Sequence, residues 1–141
     1  MYDVLIQQMR DEVTSLGAKE LRTANEVDET IPNAKGTLLV FVNSVCGCSA
    51  GMARPGLARA LRAPHLPDRI VTVFAGQDLE ATARARHYFG DEPPSSPSFA
   101  LMRDGKLVKM IHRFQIEDRT ADDVAEELIE IFEDHCNPVA G

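Results

Sequence analysis

An unbroken apolar run, Thr37-Leu38-Leu39-Val40-Phe41-Val42, stands between Gly36 and Asn43. Apolar, partly β-branched and not alternating, it reads as a strand buried on both faces. Downstream, Leu57, Ala58 and Leu61 fall at helical spacing within residues 52–61, and a second buried strand, Ile70-Val71-Thr72-Val73-Phe74, ends at Ala75-Gly76. Strand, helix and strand over this span predict a right-handed βαβ crossover with parallel strands.

Working outward, Leu5, Met9, Val13 and Leu16 recur near every 3.6 residues and Gly17 follows, which predicts an N-terminal helix over 3–16. Residues 18–35 are polar, with a short strand expected around 20–23 and a turn at Pro32. On the other side, residues 78–88 read as a helix with Asp78 near its start, closed by the loop Glu92-Pro93-Pro94-Ser95-Ser96-Pro97. Residues 98–103 and 106–112 are two short strands joined by Asp104-Gly105, a pair suited to a two-residue hairpin. Thr120 with Asp123 opens a last helix whose face is Val124, Leu128, Ile131 and Phe132, ending near Asp134. The expected fold is α/β: one domain over 1–141 with a central mixed β-sheet, helices on both faces and an N-terminal helical extension. This order is that of a thioredoxin-like domain, though other α/β domains share it.

The 141 residues suit one domain, and 44% hydrophobic with 26% charged residues suffices for a real core. A net charge of −7 would repel a phosphate backbone, so nucleic acid is not an expected partner. No apolar run approaches the ~18 residues that span a bilayer, so no membrane partner is expected. Met1-Tyr2-Asp3-Val4 lacks the basic, then apolar, pattern of a secretory leader, and a cytoplasmic setting is expected. Three cysteines do not make a disulfide framework, and in a reducing compartment a close pair points to reactivity or metal.

That pair is Cys46-Gly47-Cys48, between the buried strand and the helix that follows. A thiol at a helix N-terminus faces free N–H groups and the positive end of the helix dipole, which favour the nucleophilic thiolate. Between Glu29 and Asp68 there is no acidic residue, whereas Lys35, Arg54, Arg59 and Arg62 all fall there. Such a patch would stabilise a thiolate and attract an anionic thiol, unless the arginines merely line a solvated helix face. An internal Cys46–Cys48 bridge would close a ring of about eleven atoms, small enough to be strained and reducible. If Cys48 lies in the first helical turn, side chains two apart point to nearly opposite faces and bridging needs rearrangement. A mixed disulfide with a small thiol is then the more natural product, Cys46 attacking and Cys48 or a second small thiol resolving.

The competing reading is a metal site, for which Cys46 and Cys48 supply two of four ligands and His135-Cys136 is the nearest complement in sequence. Cys136 itself reads as the end of the last helix, with Pro138 blocking continuation. Ser96-Pro97 precedes a strand where thioredoxin-like domains carry a cis-proline facing the catalytic cysteine; a plain loop proline is the alternative. His65, His87, His112 and His135 fall beside no serine or carboxylate in a recognisable triad.

The string Asn43-Ser44-Val45-Cys46-Gly47-Cys48-Ser49-Ala50-Gly51, followed by Arg54-Pro55, resembles the active-site signature of the bacilliredoxin family. The resemblance extends to the opening Met1-Tyr2-Asp3 and to Ser96-Pro97-Ser98. It implies a thioredoxin-like fold and removal of bacillithiol from S-bacillithiolated proteins. By position, Cys46 is the nucleophile, Cys48 the resolving or auxiliary thiol, and Ser96 and Pro97 face the substrate. No bound cofactor is implied; bacillithiol is the low-molecular-weight thiol co-substrate and bacillithiolated client proteins are the partners. Monomer and homodimer remain open. Disulfide isomerisation is permitted by the same chemistry.

Overall fold

In the computed structural model, which describes residues 2–139, five strands form one sheet in the order β1-β3-β2-β4-β5. The strands are β1 Lys19–Glu20, β2 Thr37–Asn43, β3 Arg69–Phe74, β4 Ser98–Arg103 and β5 Lys106–Ile111. All seven residues of β2 are buried, as a continuous apolar run requires of a central strand. It pairs parallel with β3 (Val40 against Val71) and antiparallel with β4 (Val42 against Ser98), which joins the two halves of the sheet.

Alternation along β2 sends its side chains into two cores. Leu39 and Phe41 pack with Leu57 of α3 (Arg54–Ala60) and with Val124, Leu128 and Phe132 of α5 (Ala121–His135). Leu38, Val40 and Val42 pack with Val27 of α2 (Ala24–Thr30) and with Ala81 and Ala85 of α4 (Leu79–His87). The α3 and α5 axes approach closely at Gly56, where an added Cβ would lie 2.7 Å from Val124 Cγ1. The N-terminal helix α1 (Tyr2–Thr14) is tied to the sheet by Arg10, which is buried, bonds Asp78 through two nitrogens (2.7 and 3.1 Å) and Glu20 (3.0 Å), and lies over Phe74.

The expected helices, the crossover and the hairpin are present, with Asp104 and Gly105 both at positive φ as a tight two-residue turn demands. Met1, the first residue of the resemblance, lies outside the described residues. Three details differ. The strand expected at 20–23 is the two residues of β1, and α2 occupies part of the segment read as polar and irregular. This helix is too short for a periodic signal, but Thr23-Ala24-Asn25-Glu26 carries its start: Thr23 Oγ1 accepts from Glu26 N–H, and Glu26 Oε1 accepts from Arg22 N–H. The last strand stops at Ile111, and a 3-10 turn, Arg113–Gln115, follows. No described helix is long and apolar enough to cross a membrane.

Candidate active site

Cys46 follows β2 by three residues, at the carboxyl end of the parallel pair. Its carbonyl accepts from the N–H groups of Ser49 and Ala50 at 3.1 and 3.3 Å, so the cysteine stands where a helical segment begins. That segment includes a π-helical turn, Ser49–Ala53, and continues without a break as α3. The Cys46 N–H donates to Ser44 Oγ (3.2 Å).

The two thiols face each other, with 2.7 Å between Sγ atoms, and each is half-buried. Cys48 does lie in the first helical turn, the condition under which the sequence predicts opposite-facing side chains, yet the thiols meet, because Cys46 stands ahead of that turn and its direction is not set by helical spacing. Burial pushes the Cys46 thiol up, but hydrogen bonds from the Cys48 thiol, the Ser44 hydroxyl and the N–H groups of Ser49 and Cys48 outweigh it, so Cys46 lies below the ordinary thiol value. Burial, the hydrogen bond to Cys46 and the charge of its thiolate push Cys48 up to about 11. The surroundings thus favour the thiolate at Cys46 more than at Cys48.

The basic interval seen in the sequence is not a free patch. Arg54 is only 3% exposed and points inward, donating from Nη1 to Asn43 Oδ1 (2.9 Å), the Ser44 carbonyl (3.0 Å) and Ser49 Oγ (3.0 Å), and from Nε to Glu12. Asn43 Oδ1 also accepts from Ser44 N–H and Ser49 Oγ, and its amide donates to the Met9 carbonyl. Arg54 therefore locks the loop that carries Cys46. Arg59 is half-exposed and pairs with Asp122 at 2.8 Å. Lys35 precedes β2, at the end of the strand away from the thiols. The fold brings carboxylates from residues 12 and 122 that the linear interval could not reveal.

The Ser96–Pro97 peptide is cis. Since Ser98 pairs with Val42, the register brings this peptide alongside Asn43 and Ser44, next to the cysteine loop. His112, passed over in the sequence, is buried beside it: Nδ1 lies 3.0 Å from Ser95 Oγ and Nε2 lies 3.1 Å from Glu92 Oε1. These partners are 17 and 20 residues away in sequence, and only the hairpin, which returns Ile111 opposite Phe99, could have signalled the meeting. Cys136 is buried at the other end of the sheet, within reach of Thr37, about 20 Å of strand from the Cys-Gly-Cys loop. It ends α5 as expected, and among the described residues no third ligand joins Cys46 and Cys48 in a group that could hold a metal.

The sequence model of the family described as Disulphide isomerase matches residues 2–136. The chain is 50% identical over 139 residues to a bacilliredoxin of Koribacter versatilis, covering 99% of this chain and 96% of that one. The chain belongs to the bacilliredoxin family. A bacilliredoxin of Geobacillus kaustophilus is likewise 50% identical, with 99% and 95% covered, and one of Salinibacter ruber is 54% identical over 134 residues, with 94% and 79% covered. Among solved structures, mitochondrial thioredoxin 3 of Saccharomyces cerevisiae superposes with a TM-score of 0.58 at 21% identity, over 87% of this chain and 98% of that one. Fasciola hepatica thioredoxin gives 0.57 at 22% identity, over 83% and 98%. The fold is thus that of thioredoxin, and this bacilliredoxin-family chain is a thiol-disulfide oxidoreductase whose partners are thiols and disulfides.

Proposed function

We propose that the protein removes bacillithiol from S-bacillithiolated client proteins in the cytoplasm, with Cys46 as nucleophile, Cys48 as the auxiliary thiol, and Ser96 and Pro97 facing the substrate disulfide. What supports this reading is the pair of thiols, 2.7 Å apart at the head of a helical segment and near the cis Ser96–Pro97 peptide, with Cys46 held below the ordinary thiol value and Cys48 pushed up. Cys46 thiolate attacks the bacillithiol sulfur of the mixed disulfide. The bond from that sulfur to the client breaks, a Cys46–bacillithiol disulfide forms, and the client leaves as a thiolate that takes a proton from water. A second low-molecular-weight thiol, or Cys48 once deprotonated, then exchanges with the mixed disulfide on Cys46. In the first case a small-thiol disulfide is released and reduced Cys46 returns; in the second, bacillithiol is released and an internal Cys46–Cys48 disulfide remains for an external thiol reductant.

The description of the matching family favours a second reading, general disulfide isomerisation, through the same two sulfurs. Release of client from a bacillithiolated and from a glutathionylated form of one protein, followed by intact mass, separates the readings. The bacillithiol reading expects the first to outpace the second strongly; equal rates make the protein a general thiol exchanger, and no release from either removes both.

A further inference from the structure

Beside the cysteine loop stands a second, built structure that the thiol chemistry above does not use. Both ring nitrogens of His112 are engaged by Ser95 and Glu92. Its own N–H donates to Gln115 Oε1 at 2.9 Å, closing the 3-10 turn, and Ser95 Oγ accepts from the N–H of Arg113 at 3.4 Å. The residue so fixed is Arg113. Its Nη1 reaches the carbonyl of Ser96, in the cis peptide, at 3.4 Å, and its Nε bonds Glu117 at 3.2 Å. Nη2 has no hydrogen-bond partner among the described residues, and the side chain stays 47% exposed. Phe114, 67% exposed, stacks on His112 with 5.7 Å between ring centres, and exposed Val45 lies on the cysteine side.

Of the cations near the site, Arg54 is consumed inside the cysteine loop, while Arg59 and Arg113 each pair with one carboxylate, Asp122 and Glu117, and stay half-exposed. What sets Arg113 apart is its anchoring to the loop of the cis peptide, through Ser95 Oγ and the Ser96 carbonyl. A guanidinium with an open edge is suited to a carboxylate. Its positive charge also pulls the Cys48 thiol down, so it lies within electrostatic reach of the reacting sulfurs.

We propose that Arg113 is a specificity residue, holding a carboxylate of the small thiol that passes to Cys46 while Cys46 attacks its sulfur. This rests on the bacillithiol reading, because bacillithiol carries carboxylates. The Ser95–His112–Glu92 cluster positions Arg113.

The test compares two mixed disulfides of one client, with bacillithiol and with cysteamine, which has no carboxylate, for wild type, Arg113→Gln and Arg113→Lys. For Arg113→Gln, kcat/KM should fall about fivefold further on the bacillithiol form than on the cysteamine form at low salt, and the gap should narrow at high salt. Arg113→Lys, retaining the charge without the fork, should recover part of the loss. An equal loss on both substrates makes Arg113 a scaffold residue, and no loss on either places it outside the site; each overturns the proposal. If wild type itself fails to prefer bacillithiol, the underlying reading falls; if wild type prefers it and Arg113→Gln keeps that preference, only the role of Arg113 falls.

Discussion

The two walls of the Cys-Gly-Cys site are built from opposite uses of a cation. On the β2 side, Arg54 is buried and spends its hydrogen bonds on Asn43, Ser44 and Ser49, so its charge organises the loop that holds Cys46. On the β4–β5 side, a buried histidine does the organising through Ser95 and Glu92, and the neighbouring Arg113 is left half-exposed. Arginine count in the sequence is therefore a poor guide to the field felt by a ligand; what matters is which guanidinium the fold has already satisfied.

The largest effect expected is at the sulfurs. Cys46→Ser should abolish client release, at least about a thousandfold, because a hydroxyl has no comparable anion at neutral pH, whereas Cys48→Ala should still take up the small thiol. The same variant sharpens the electrostatic asymmetry. Removing Cys48 deletes a hydrogen bond that lowers the Cys46 thiol, so the ultraviolet thiolate titration of Cys46 should move to higher pH in Cys48→Ala. At pH values below the ordinary thiol pKa the rate of Cys46 alkylation should fall accordingly, since less thiolate is present.

Next comes the buried cation. Arg54→Met removes donors from three buried oxygens and should cost about 3 kcal/mol in denaturant unfolding, with Glu12, which is exposed, contributing little of it. His112→Phe, which keeps a ring against Phe114 but frees Ser95 and Glu92, should cost about 1–2 kcal/mol and lower the preference for a carboxylated thiol without slowing cysteamine transfer. The smallest effect belongs to Arg59→Ala, whose partner Asp122 is exposed: less than about 1 kcal/mol and no change in substrate preference. A large change in preference there, with none at His112, would reverse the comparison of the two walls.

Much of the fold was legible because β2 and β3 are apolar runs with unmistakable ends and because Asp104-Gly105 marks its hairpin. The position of the Cys-Gly-Cys loop between strand and helix, and that of Ser96-Pro97 just ahead of a strand, were legible from the same run boundaries. What escaped reading depended on contacts far apart in the chain. Glu12 meets Arg54 across 42 residues and Asp122 meets Arg59 across 63, so two of the cations in the acid-free interval are already paired. His112 gains its serine and carboxylate only when β5 returns alongside β4. The mutual approach of the two thiols hinged on where the helical turn begins, and helix boundaries are the least certain feature of any sequence pattern.

The central claim is that the two sulfurs have separate tasks, and the site of the first adduct tests it most directly. Wild-type protein is mixed with a bacillithiolated client, quenched with acid at early times, and the peptide carrying both cysteines is fragmented in the mass spectrometer. Bacillithiol found on Cys46, ahead of any Cys46–Cys48 bridge, is the predicted result. First appearance of bacillithiol on Cys48, or its uptake by a Cys46→Ala variant at the wild-type rate, would contradict it.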